Sequence, residues 1–97
     1  MILHQVLLRF KPGTTAEPIA ALAAALLEMK GPIPEIRDIR WGANLGPSNA
    51  EYPYVLTVTF DDLEALERYL VHPVHRRVVA EHLEAIREAK LAVDIEA

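Results

Sequence analysis

No cysteine occurs among the 97 residues. Disulfides, thiolate nucleophiles and thiolate metal sites are therefore excluded, and the chain suits a reducing compartment. Basic charge is in deficit as well. A net charge of −4 and a pI near 5.5 leave no basic stripe to neutralise phosphates, so neither nucleic acid nor an anionic membrane is an expected partner. Long hydrophobic runs are missing too: the longest, Ile19 to Leu27, is too short to span a bilayer. The opening segment, Ile2 to Phe10, is broken by His4, Gln5 and Arg9 and does not read as a signal peptide. A soluble, cytoplasmic protein is the expectation.

What is present is apolar side chain in excess. A domain of this size buries only ~60–65% of its unfolded surface. Yet 52% of the residues are hydrophobic and only four are glycine. Part of the surplus is expected in an oligomer interface.

The pattern along the chain reads as one domain, residues 1–97. Ile2, His4, Val6, Leu8 and Phe10 alternate with Leu3, Gln5, Leu7 and Arg9, which predicts a strand with two unlike faces. Lys11-Pro12-Gly13 ends it. Thr14 with Glu17 has the spacing of a capping box, and Ile19, Leu22, Ala23, Leu26 and Leu27 form the stripe of a buried helix. Gly31-Pro32 stops that helix, a strand follows at 36–43, and Tyr54 to Phe60 alternates as another. Asp61 with Glu64 suggests a second cap, opening a short helix with Leu66, Tyr69 and Leu70 inward. A helix from Pro73 to about Lys90 and a last strand over 91–96 complete the chain. This order is the ferredoxin-like split βαβ arrangement of the α+β class, with a four-stranded antiparallel sheet. Helices then cover one face, and the face bearing Leu3, Leu7, Val55, Thr57 and Thr59 suits packing against a second sheet in a homodimer.

The chemistry concentrates in Tyr69-Leu70-Val71-His72-Pro73-Val74-His75. Proline disfavours helix for the residue before it and suits the first position of a new helix, so one helix ends near His72 and another begins. His72 then falls at the N-cap and His75 in the first turn, where the helix dipole disfavours imidazolium. A neutral histidine beside a tyrosine can accept a proton while the phenol holds a developing oxyanion. His4 and Tyr54, on strand faces with apolar neighbours, would join Tyr69 and His75 around a pocket between sheet and helices. The same residues would serve equally as a packing kink with polar tips at its rim. His72, His75 and His82 are a sparse metal set without a clear carboxylate, so no metal is expected.

Ile2-Leu3-His4-Gln5-Val6-Leu7-Leu8-Arg9-Phe10-Lys11, Ile39-Arg40-Trp41-Gly42, Tyr54 to Phe60 and the Tyr69 to His75 kink together resemble the stress-responsive dimeric α/β-barrel (Dabb) family. The resemblance implies a homodimer whose two sheets face each other as a barrel, with the helices outside. Many members are known only as stress-linked proteins, and a few are polyketide cyclases that close a poly-β-keto chain by intramolecular aldol condensation. In those cyclases residues matching His75 and Tyr69 act together, near a pocket histidine matching His4. A further pocket histidine of the plant cyclase is matched here by Tyr54. The expected function is thus a dimeric stress-responsive protein with a small apolar ligand pocket. The alternative is a cofactor-independent cyclase. Catalysis would fall to His75 and Tyr69, and ligand binding to His4, Tyr54 and His72, with no cofactor.

Overall fold

A computed structural model describes residues 1–97. The strands are β1 (Ile2–Phe10), β2 (Asp38–Ala43), β3 (Tyr54–Phe60) and β4 (Arg87–Glu96). The helices are α1 (Ala16–Glu28), α2 (Leu63–Leu70) and α3 (Pro73–Val78), which runs on into a π-helical turn at Val79–Leu83. All four strands are antiparallel, in the order β2-β3-β1-β4. No helix is long and apolar enough to cross a membrane.

The alternation of β1 sorts its residues cleanly. Ile2, His4, Val6, Leu8 and Phe10 are all buried under the helices, with Leu56, Val58 and Phe60 of β3 beside them. From the other side Leu22 and Leu26 of α1, Leu66 and Tyr69 of α2, and Val78 and Leu83 close the core. The outer sheet face stays bare. There Leu91, Val93 and Ile95 of β4 form an apolar row that is 45%, 40% and 53% exposed.

Several boundaries differ from those the pattern suggested. The last helix stops at Val78 and its π-helical continuation at Leu83, so Arg87 to Lys90 belong to β4 rather than to the helix. Its helical periodicity was real but short, because these residues pair with Leu8, Arg9 and Phe10 of β1. β2 begins at Asp38, since Ile36 is buried in the preceding loop. The cap of α1 is Thr15, without a side-chain bond; Thr14 instead donates to the Lys11 carbonyl at 2.6 Å, closing the turn around Gly13 with its φ of 82°. The cap of α2 is Asp62, whose carboxylate accepts from the Ala65 N–H at 2.8 Å. Asp61 is drawn away by Arg37, which grips it through two bonds.

Asp62→Ala should therefore lower the unfolding free energy by about 1 kcal/mol, the usual worth of an N-cap carboxylate. Asp61→Ala should lose less, because its ion pair with Arg37 has side chains 58% and 52% exposed. Urea midpoints of the two variants measure the difference, and equal losses would contradict the cap assignment.

Candidate functional site

The site grows out of the break between α2 and α3. Pro73 occupies the first turn of α3, and His72 before it is extended, with φ −64° and ψ 136°. The His72 Nδ1 accepts from the Val74 N–H at 3.1 Å, which uses His72 as the cap of α3. The chain thus turns sharply enough to bring the last turn of α2 and the first of α3 together. Their aromatic rings, Tyr69 and His75, lie 4.4 Å apart between centroids at 49°. The Tyr69 ring also packs on Phe60 at 4.9 Å and meets His4 edge-on at 6.0 Å.

These three polar side chains border one cavity of about 100 Å³. Its lining is mostly aliphatic, including Leu8 and Leu56 of the sheet and Leu26 of α1. Lys90 and Ala92 of β4 complete one side.

Hydrogen bonding decides which atoms are free to act. His75 Nδ1 lies 3.2 Å from the Leu70 carbonyl, which can only accept, so Nδ1 carries the proton. In the neutral ring, Nε2 then keeps its lone pair. His4 Nδ1 lies 2.6 Å from an Asp94 carboxylate oxygen, and the same logic leaves its Nε2 without a protein partner. The side-chain bonds of this region are those of His4, His72 and His75, and none uses the Tyr69 hydroxyl. An almost wholly buried phenol thus has its hydrogen-bonding capacity unspent.

Burial sets the protonation states. Desolvation alone pushes the Tyr69 hydroxyl well above the usual phenol range, so it stays a donor. Desolvation likewise draws His75 below its ordinary value, outweighing the Leu70 carbonyl that favours the cation; Lys90, His4 and Arg76 add repulsion. The expected direction holds, with burial rather than the helix dipole as the main cause. At neutral pH the pair is a neutral base beside a protonated phenol.

Two expected site residues lie elsewhere. Tyr54 shares the inward face of β3 but sits four residues from Val58, the partner of His4, or roughly 13 Å along the strand. It stacks instead on Trp41 at 5.3 Å and packs on Phe10 at 5.4 Å, closing the far end of the core. His72 is spent on its cap and does not line the cavity. His82 borders a second hollow, between α1 and α3, away from His75. No group of three or more histidine or carboxylate side chains is placed to hold a metal. Asp94 and Lys90 were not singled out by sequence reasoning; only strand register turns them inward.

The sign of the His75 shift fixes its linkage to stability. A folded value below the unfolded one means the unfolded chain binds more protons between the two. The contribution is therefore complete above the unfolded value of ~6.5 and is lost as pH falls through the folded value. NMR titration of the His75 ring should give a midpoint below ~6.5; one above 7 would contradict the neutral base.

Comparison with known proteins bears on the family and the fold. The chain is 28% identical over 74 residues to the olivetolic acid cyclase of Cannabis sativa, covering 74% of this chain and 73% of that protein. It is 32% identical over 82 residues to an uncharacterised protein of Streptomyces coelicolor, covering 82% and 84% respectively. A dimeric ferredoxin-like protein of unknown function from Thermobifida fusca superposes with a TM-score of 0.84 at 25% identity, covering 99% of this chain and 90% of that one. The family model of the stress-responsive A/B barrel domain matches residues 2–97. With its kinked helix pair and one-sided sheet, the chain belongs to the Dabb stress-responsive barrel family.

Proposed function

We propose that the protein works as a homodimer and that its cavity receives a small, largely apolar ligand bearing a carbonyl or hydroxyl group. The observation that carries this reading is the pairing of an unbonded phenol with a free imidazole Nε2 on the wall of an aliphatic cavity. Buried polar groups are ordinarily satisfied by the protein or by water. Here the hydroxyl of buried Tyr69 and the Nε2 of half-buried His75, both residues bordering the cavity, have no partner in the protein and remain open to an occupant. The aliphatic lining supplies affinity, and the two polar tips orient the ligand.

The same pair favours a second reading, cofactor-independent chemistry of the cyclase type. His75 Nε2 takes the proton from a carbon between two carbonyls. The carbanion attacks a further carbonyl carbon of the same chain, and the alkoxide so formed accepts a hydrogen bond from the Tyr69 O–H. The imidazolium then returns its proton to that oxygen. The relative named as a cyclase supports a ring-closing reaction. His4, held by Asp94, would orient the substrate.

The homodimer reading is supported by the bare outer face, where Leu3, Leu7, Leu91, Val93 and Ile95 have no cover from the chain's own helices. Dimeric relatives of the same fold support it. Leu7→Asp should shift the sedimentation coefficient toward the monomer, because the carboxylate would be desolvated without a partner. A well-folded wild-type monomer at micromolar concentration would refute the dimer.

Titration with 2-octanone tests the cavity: NMR shifts should centre on Leu8, Leu26 and Tyr69, and their absence would overturn the ligand reading. Hydrogen–deuterium exchange at the carbon between the two carbonyls of 2,4-octanedione tests the chemistry. His75→Ala should slow protein-dependent exchange by about 10²-fold or more, and Tyr69→Phe should slow it too, with both variants folded. Losses of several kcal/mol of stability in both, without any exchange in the wild type, would instead mark a packing network.

A further inference from the structure

The polarity of β4 is inverted relative to the rest of the sheet. Opposed residues of an antiparallel pair project to the same side. The partners of inward-facing His4, Val6 and Leu8 are therefore Asp94, Ala92 and Lys90. Leu91, Val93 and Ile95 pair with Leu7, Gln5 and Leu3 and project outward. So β4 turns its aliphatic side chains away from the helices and its charges toward them. Inward charge is tolerable only where water still reaches it. Lys90 and Asp94 meet that condition, because β4 packs on β1 while the helices lie over the other strands, whereas the Nε of Arg87 is buried without a partner.

The inward charges differ in what they meet. Asp94 is engaged by His4. Glu96 sits at the chain end, opposite Ile2. Lys90 borders the cavity with Ala92, Leu70 and His75, and none of the protein's ion pairs includes it. Arg87, earlier on the strand, is taken by Glu84. The one charge on the cavity wall without a counter-charge is a cation, at the end of a flexible stem on the uncovered edge.

We propose that Lys90 selects ligands carrying a carboxylate, so that the cavity takes amphipathic organic acids. Their apolar body lies against Leu8, Leu26 and Leu56, and their anionic end meets the ammonium on β4. This rests on the cavity being a ligand site, as argued above, and adds the class of ligand. A neutral ligand leaves the ammonium hydrated and gains nothing from it. An acid gains the attraction of an unpaired cation beside a low-dielectric wall. The proximity is electrostatically real, since the charge of Lys90 also opposes protonation of His75.

The test compares hexanoate with hexanamide, of nearly the same shape, by NMR titration of the whole protein at matched ionic strength. Wild type should bind hexanoate about fivefold tighter, the upper range for a partly exposed ion pair. That preference should shrink as salt is raised. Lys90→Met should bind both alike while keeping its affinity for the amide, and Lys90→Glu should prefer the amide. If wild type binds both equally, or Lys90→Met keeps the preference, the carboxylate selection is overturned and the cavity reading stands. If neither probe perturbs the cavity residues and 2-octanone also fails, both are overturned together.

Discussion

Helices cover one face of the sheet and stop short of its last strand, and most other features follow from that incomplete cover. Where α1, α2 and α3 lie over β1 and β3, every inward position of β1 is buried and the core is dense with aliphatic and aromatic side chains. Where they do not reach, β4 carries Lys90 and Asp94 inward at positions still open to water. The cavity forms at this border, with aliphatic walls on the covered side and Lys90 on the open one. On the far face the sheet has no helix at all, and the aliphatic residues of β4 stay exposed there.

Within the border region one backbone break orders the chemistry. Without Pro73 the helix through Tyr69 would continue, and residues six apart would sit on different faces of it. The break, capped by His72, folds the two ends together until the Tyr69 and His75 rings touch. Burial then outweighs hydrogen bonding in setting charge. For His75 the Leu70 carbonyl favours the cation, but desolvation and neighbouring positive charge oppose it more strongly. For Tyr69 desolvation acts alone. Both groups stay neutral, the state in which one can take a proton and the other donate a hydrogen bond. His4 is organised differently, by a carboxylate rather than a carbonyl, and so has a fixed ring orientation.

Much of this was legible in the residues alone. Alternation in β1 and β3, the stripe of α1 and the proline break are local signals, written in periods of two and of 3.6 or in a single stiff residue. They were enough for the ferredoxin-like order, the bare face, the His72 cap, and the nearness of Tyr69, His75 and His4. Cap identity was less legible, because adjacent candidates compete: Asp61 and Asp62 differ only in which one Arg37 attracts. Tyr54 misled for a related reason. It shares the right face, but a face says nothing of distance along the strand, and an aromatic partner at the far end claimed it.

Sequence by itself determined which side chains point inward in β1, β3 and α1, where the helix must break, and which chemical groups the chain lacks. Only the tertiary structure decided where the last helix yields to β4. Arg87 to Lys90 carry no strong period, and their pairing with β1 depends on contacts nearly eighty residues distant in the chain. That register alone put Asp94 against His4 and Lys90 at the cavity. A one-residue slip would have sent both to the opposite face, and the alternation of β4 read alone favours that slipped alignment, with Leu91, Val93 and Ile95 turned toward the helices.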